Sequence, residues 1–384
     1  MIFMMYNKRN FVLISNYKPD KQESMRRYAE GLKQGLEESG CKVAIWSPLI
    51  LFSYFVKNTT TGLGKWLGYL DKWLLYPVIL KILMLLPRYR KENIFFHICD
   101  HSNAPYLAVL PAARSGITCH DVLAIQAALG HEGTYCEASK TGRILQSWIL
   151  RNLMKAERLV AVSQYTMDQL LMLIGPQLTK RKWTVVHNFY NAEFYPMSPE
   201  QYRYCLKGLG IPEEQEFIMH IGSSLPRKNR VLLIKLLVEL GNSWNGKVCF
   251  TGQPIDSQLA AEIEKYGLKE RVISVVKPTH LELIALYSAC VAFVFPSYSE
   301  GFGWPVIEAQ ACGAPVLASN ISPIKEIGGE GALLYAPDDV QGFASGLKEI
   351  LNTDYRQEIV QKGFQNTSRF ERRTLIAKII ELYN

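Results

Sequence analysis

The chain has 384 residues, 48% of them hydrophobic and 20% charged, with 27 Gly and 18 Pro; this excludes a small binding or zinc module, a fibrous repeat and a disordered chain, and requires two or three domains. The net charge of +8 is unevenly held, with 24 basic and 14 acidic residues in positions 1–195 against 19 and 21 in 196–384. That asymmetry points the first half toward something anionic, such as a membrane surface, a nucleic acid or an anionic substrate.

In chain order, residues 1–6 are apolar but polar residues 7–10 follow at once, which is not signal-peptide anatomy, so the mature chain is expected to start there. Residues 11–15 form a short apolar run, 23–39 interleave charged and apolar positions at helical spacing, Gly40 closes that helix, and 42–46 restart as a strand. The same β-α-β grammar recurs with strands expected at 94–98, 116–119, 158–162 and 184–187. A second set has strands expected at 217–221, 247–251, 272–276, 291–296 and 315–319, alternating with helices at 231–240, 257–266, 281–289 and 305–312. Such alternation specifies parallel sheets, so two Rossmann-like domains in series are predicted. Their boundary falls between 188 and 216, where Pro196, Pro199, Gly208, Gly210 and Pro212 crowd a polar segment. The apolar stretch 73–86 is broken by Pro77 and Lys81 and is shorter than the ~20 residues of a spanning helix, so none is expected. Eight cysteines (Cys41, Cys99, Cys119, Cys136, Cys205, Cys249, Cys290, Cys312) contain no Cys-x2-Cys pair, and a reducing cytoplasm is the expected compartment.

Residues 297–308 (Ser-Tyr-Ser-Glu-Gly-Phe-Gly-Trp-Pro-Val-Ile-Glu) join a strand to a helix with Pro305 in its first turn. Gly301 and Gly303 let the backbone approach a ligand, and the N–H groups at the helix start point at an anion. Helical side chains tilt toward the N-terminus, so Glu308 can reach back to the loop where Glu300 sits. A carboxylate there can accept hydrogen bonds from the vicinal hydroxyls of a ribose or hexose. The plainer alternative is that Glu308 complements the helix dipole and Glu300 caps the turn, worth ~0.3–1 kcal/mol. Two glutamates around a double-glycine turn, with Phe302 and Trp304 between them, favour the binding role.

The Glu300-x7-Glu308 arrangement, with 323–327 (Pro-Ile-Lys-Glu-Ile), Gly331 and Pro337-Asp338-Asp339, resembles the second half of the nucleotide-sugar-dependent glycosyltransferases of family 4, or group 1. The match is specific over 216–339 and colinear elsewhere. The resemblance implies an α/β architecture of the GT-B type, two Rossmann-like domains with parallel sheets facing across a cleft. It further implies that the second domain binds the nucleotide sugar, that the first presents the acceptor, that the mechanism is retaining, and that neither a metal nor another cofactor is required.

Residues 220–229 (His-Ile-Gly-Ser-Ser-Leu-Pro-Arg-Lys-Asn) also link a strand to a helix, and place Arg227 and Lys228 beside the helix start. A diphosphate leaving group needs its developing charge neutralised, and without a metal a pair of cationic side chains must do it. Taken alone, an Arg-Lys pair reads as a solvated turn; its position resembles the family's phosphate-binding loop. Many family members carry an arginine directly after the loop glycine Gly222, where this chain has Ser223, and Arg227 is expected to supply the guanidinium instead.

In the first half, residues 118–121 (Thr-Cys-His-Asp) place His120 and Asp121 at the carboxyl edge of a sheet. A lone histidine is more often structural, but this one resembles a family motif whose histidine lines the cleft near the transferred sugar. Ser163 is expected to cap a helix, and Asn188 likewise matches a family position before the interdomain crossing. His97, Asp100 and His101 lack the spacing of a metal site and are expected to be solvated loop residues. Where family members often have a glycine-rich first turn, this chain has 16–20 (Asn-Tyr-Lys-Pro-Asp), which leaves the acceptor side unfamiliar. Residues 57–91 hold seven basic residues against Asp71 alone, interleaved with Trp66, Tyr69, Trp73 and Tyr76. Two readings stand side by side: a cationic, aromatic face lying in a membrane interface, or a helical insertion packed on its own domain with snorkelling lysines.

The expected organisation is an acceptor-side domain over 1–193 carrying the basic aromatic insertion 57–91, a nucleotide-sugar domain over 194–368, and a terminal helix over 369–384 packing back on the N-terminal domain. The expected activity is retaining hexosyl transfer from a nucleoside diphosphate sugar to a hydroxyl of a glycan or lipid-linked acceptor, in cell-surface polysaccharide or glycolipid synthesis. Catalytic roles are expected for Glu300, His120, Lys228 and Arg227, and donor binding for Gly222, Ser223, Arg227, Lys228, Gly301, Phe302, Gly303 and Glu308. The expected partners are the nucleotide sugar, the acceptor and an anionic membrane surface through 57–91, with attachment to the inner membrane face; nucleic acid is excluded for want of a recognition motif. One rival is a noncatalytic sugar-nucleotide or membrane-binding subunit. Another, a nicotinamide oxidoreductase, would need Gly-x-Gly-x-x-Gly after a first strand, which neither domain has.

Overall fold

The structure is a computed structural model and describes residues 9–56, 58–131, 138–175, 181–190 and 192–384. Residues 1–8, Lys57 and Cys136, which figure in the expectations above, lie outside the described residues. The chain divides into two compact units, Met1–Ala192 with Glu371–Asn384, and Glu193–Phe370.

The first unit holds a six-stranded parallel sheet of β1 (Asn10–Ile14), β2 (Lys42–Trp46), β3 (Ile94–Ile98), β4 (Ser115–Cys119), β5 (Arg158–Ala161) and β6 (Lys182–Val185), in the order β2-β1-β3-β4-β5-β6. Side chains alternate across a strand, and β1 is apolar on both faces. Phe11 and Leu13 join one core cluster with Tyr28, Leu32 and Leu36 of the helix Glu23–Glu38, whereas Val12 and Ile14 join another with Tyr76 and Leu80. The C-terminal helix Arg372–Glu381 belongs to this unit and buries Leu375, Ile376, Ile379 and Ile380 beside Leu32 and Leu36.

His97, Asp100 and His101 correct the expectation of solvated loop residues, because all three are buried. His97 lies inside β3, where its Nδ1 pairs with the Tyr383 hydroxyl at 2.7 Å and its Nε2 with Thr118 Oγ1 at 2.8 Å. Burial, with His120 nearby, pushes its pKa down to about 3, so the ring is neutral. Its partner Tyr383 comes from the far end of the chain, beyond the reach of local spacing.

The second unit repeats the recipe with β7 (Phe217–Gly222), β8 (Lys247–Gly252), β9 (Val272–Val276), β10 (Ala292–Phe295), β11 (Val316–Ser319) and β12 (Ala332–Tyr335), all parallel, in the order β12-β11-β10-β7-β8-β9. Ile218 on β7 faces Val248 on one side and Ala292 on the other. Phe217 and Met219 bury into one cluster and Ile218 into the opposite one, again with period two. In each sheet the strand order reverses beside the first strand, between β1 and β3 and between β7 and β10. Open α/β sheets bind ligands outside the carboxyl ends of the strands at such a point.

Candidate active site

The loops leaving β7 and β10 meet at the reversal point of the second sheet. After β7 the chain makes a 3-10 turn over Pro226–Lys228, and Asn229 takes a left-handed conformation (φ 49°) that sends the chain into the helix Val231–Leu240. After β10 it runs through Ser297 and Glu300 into the helix Trp304–Ala311. The two loops are fastened by a backbone bond from Tyr298 N to Arg227 O at 2.7 Å. A second fastening runs from Arg227 Nη1 to Ser299 O at 2.8 Å.

Three charged side chains converge there. Lys228 Nζ donates to Glu300 Oε1 at 2.6 Å, and Arg227 Nη1 lies 3.0 Å from Glu300 Oε2. Glu300 is buried, and Lys228 packs its ammonium 5.0 Å from the centre of the Phe295 ring. Burial opposes ionisation of Glu300, but the charges of Lys228 and Arg227, with the hydrogen bond from Lys228, hold its carboxyl below the usual range. Burial pulls the Lys228 ammonium down, Glu300 counteracts this, and Arg227 adds to the depression. The carboxylate lies between both cations and remains charged, because one anion answers two positive groups.

Glu308 lies one turn into the helix Trp304–Ala311, buried, and accepts from the Tyr287 hydroxyl at 3.2 Å. Gly303 has φ 107°, a left-handed conformation, and a Cβ there would stand 2.5 Å from Ile324 Cδ1; glycine is required to bring the loop into this helix. Phe302 turns its ring inward, packing on Trp304 and Phe370 at centroid distances of 5.5 and 6.0 Å. Gly222 ends β7 with Ser223 after it, and Gly301 lies in the loop before the helix. With Ser223 at the position after the loop glycine, the guanidinium in the cluster comes from Arg227.

Several participants carry no local signal. Tyr287 meets Glu308 across 21 residues. His220, inside β7, donates from Nδ1 to Val294 O at 3.0 Å, and burial holds its pKa down at about 3. Its Nε2 is buried without a hydrogen-bond partner among the described residues and would lie 3.0 Å from a Cβ on Gly222. The alternation of β7 could have shown that His220 faces a core, but not what lies against it.

His120 belongs to the first unit. It follows β4, is buried, donates from Nε2 to Cys99 O at 2.9 Å and meets Tyr28 edge-on at 4.7 Å. Burial lowers its pKa while Asp100 and the Cys99 carbonyl oppose that. At the reversal point of this sheet Asn16 Nδ2 bonds Asp100 Oδ2, Asn103 Nδ2 bonds Asn16 Oδ1 at 3.0 Å, and His101 Nδ1 lies 3.3 Å from Asp100 Oδ1. Ser163 caps the helix Gln164–Ile174 by accepting from Thr166 N at 3.0 Å, and Asn188 is buried.

Residues 206–366, which hold both loops and all three charged groups, match the model of the family described as glycosyl transferases group 1. The second unit is a group 1 glycosyl transferase domain. The chain is 25% identical over 250 residues to the O-antigen chain mannosyltransferase B of Escherichia coli, covering 63% of this chain and 64% of that protein. It is 33% identical over 138 residues to the O-antigen chain mannosyltransferase RfbU of Salmonella typhimurium, covering 36% of this chain and 39% of the relative. Among solved structures it is similar to a sucrose-phosphate synthase from Thermosynechococcus elongatus, with 19% identity, 98% of each chain covered and a TM-score of 0.75. It is also similar to Alr3699/HepE of Anabaena in complex with UDP and glucose, with 17% identity, 97% and 98% covered and a TM-score of 0.68. The fold is that of the GT-B glycosyltransferases.

Proposed function

We propose that this chain transfers a hexosyl group from a nucleoside diphosphate sugar to a hydroxyl of a glycan or lipid-linked acceptor, with retention, in the synthesis of a cell-surface polysaccharide or glycolipid. The observation that carries the reading is the Arg227–Lys228–Glu300 cluster at the reversal point of the second sheet, with Glu308 one turn into the adjoining helix. Two cations side by side suit a diphosphate, and they can stabilise its charge as the sugar–oxygen bond breaks without a metal. The main-chain N–H groups at the start of Trp304–Ala311, opened by Gly301 and Gly303, add to this. Glu308 takes the ribose hydroxyls, Glu300 the hydroxyls of the transferred sugar, and His120 is assigned from the first unit to the sugar side of the reaction.

In the retaining course the acceptor oxygen bonds to the anomeric carbon on the face the leaving group departs, and the departing phosphate oxygen takes the acceptor's proton. No protein nucleophile is consumed. The O-antigen mannosyltransferase relatives and the neighbour holding UDP and glucose favour a hexose and a nucleotide donor. We place the activity in the cytoplasm.

Incubating the chain with UDP-, GDP- and ADP-hexoses, without acceptor and in chelator, tests the reading. One donor should be bound and slowly hydrolysed by the native chain and not by Lys228→Met. A chain that binds none of them, or hydrolyses one equally well as Lys228→Met, would count against it.

A further inference from the structure

The longest run of exposed apolar side chains in the first unit follows one feature. Residues 62–85 form a continuous helical rod, Gly62–Leu70, a π-helical turn Asp71–Leu75 and Tyr76–Leu85, which is ~36 Å long at 1.5 Å per residue. One side packs inward through Gly64, Gly68, Tyr76 and Leu80. Gly64 is required there, since a Cβ would stand 1.9 Å from Asn58 O. The opposite side is also apolar and lies in solvent: Leu63, Trp66, Leu70, Leu74, Val78 and Ile82 recur every three or four residues down its length. The usual solvent-facing helix carries charge on that side.

Beside the rod, residues 49–55 expose Phe52, Tyr54 and Phe55, with Phe55 91% exposed. These side chains are held out by a built anchor. Asp71, fully buried, accepts from Leu51 N, Phe52 N and Ser53 N at 3.2, 2.9 and 3.1 Å and from the hydroxyls of Ser53 and Tyr17. A buried carboxylate satisfied by three main-chain N–H groups fixes the loop, so its aromatic tips are presented rather than left loose.

We infer that this face, residues 49–55 with the outer side of the 62–85 rod, docks on an anionic phospholipid bilayer, the rod lying in the plane of the interface. Charge selects the occupant. Lys81, Arg88, Arg90 and Lys91 are exposed on and just beyond the rod, Asp71 is consumed inside, and Lys72 already pairs with Asp20 at 2.7 Å. Apolar protein interfaces are depleted of lysine, whereas a cationic rim beside exposed aromatics matches the headgroup level of an acidic membrane. No helix among the described residues is long and apolar enough to cross a membrane, so the attachment is to one leaflet.

Flotation of the full chain with phosphatidylcholine vesicles, with and without phosphatidylglycerol, is the direct test. The native chain should float with the anionic vesicles, weakly with the neutral ones, and less at high salt. Phe55→Ser with Trp66→Ser should lower partitioning at least ~50-fold, and each of Lys81→Gln and Arg88→Gln about five-fold. Donor binding and the thermal melting curve, read on the same preparations, should be unchanged in these variants, the second reporting that the first unit folds. A folded chain that stays off anionic vesicles at low salt would overturn the inference. So would self-association abolished by Phe55→Ser with Trp66→Ser, which would assign the face to a second copy.

Discussion

Counted from its own first strand, the first sheet runs 2-1-3-4-5-6 and the second 3-2-1-4-5-6, each with a reversal beside its first strand, and the two reversal points differ in chemistry. In the second unit the crevice after β7 and β10 holds two cations around one buried carboxylate, with glycine-opened main chain beside it. In the first, the crevice after β1 and β3 holds Asn16 and Asn103 bonded to one another, Asn16 also bonded to Asp100, and His101 beside that carboxylate. On the proposed reading the second unit's crevice takes the diphosphate and the first unit's the hydroxyls of the acceptor. The topology supplies the place and the loop residues supply the ligand class.

The sharpest way to break this contrast is to remove charge from the second unit alone. Lys228→Met should lower kcat/KM for transfer by about a hundred- to a thousandfold, ~3–4 kcal/mol, and weaken donor binding. His120→Gln in the first unit should lower transfer while leaving the donor Kd within about twofold, a split that isothermal titration would read. If both changes weaken donor binding alike, the two crevices do not divide the work.

Gly303→Ala should come next, through shape rather than charge. A side chain at φ 107° that also collides with Ile324 should cost ~1–3 kcal/mol, seen as a lower Tm together with weakened donor binding. An alanine variant with native Tm would mean the loop enters its helix by another path.

The pH dependence should be asymmetric. The Glu300 carboxyl is held below its unfolded value, so its stabilising contribution is complete above ~4.3 and is lost as pH falls through the folded value. Lys228, depressed by burial, gives up its proton before an ordinary lysine at ~10.4. Donor affinity should therefore be level through neutrality and weaken on the alkaline side earlier than a solvated lysine would allow. Lys228→Arg should move that limb upward, and a limb that stays in place belongs to another group.

Smallest of all, Tyr287→Phe removes one hydroxyl from Glu308. The donor KM should rise several-fold, ~1 kcal/mol, with kcat little changed. A fall in kcat without a change in KM would separate Glu308 from donor binding.

Much of this was legible in residue order, for physical reasons that also mark the limits. Ile94–Ile98, Val231–Leu240 and Val272–Val276 begin and end where apolar periodicity places them. The strand Ala332–Tyr335, at the edge of the second sheet, is a short apolar run between Gly331 and Pro337 whose period does not separate strand from helix. Arg227, Lys228, Glu300 and Glu308 were readable because each follows a strand end or a glycine turn. Tyr287 was not, since it meets Glu308 only through packing. His97 misled because its partner Tyr383 is 286 positions away.

The pairing of Glu300 with both cations has a consequence for selectivity among anions. Both positive groups are paired with one buried carboxylate, so on the proposed reading a free phosphate would have to displace that carboxylate and leave it buried without a partner. A diphosphate carrying a sugar brings its own replacement, because its hydroxyls can donate to the displaced oxygens. Capture then becomes an exchange of partners, and a bare anion cannot complete it.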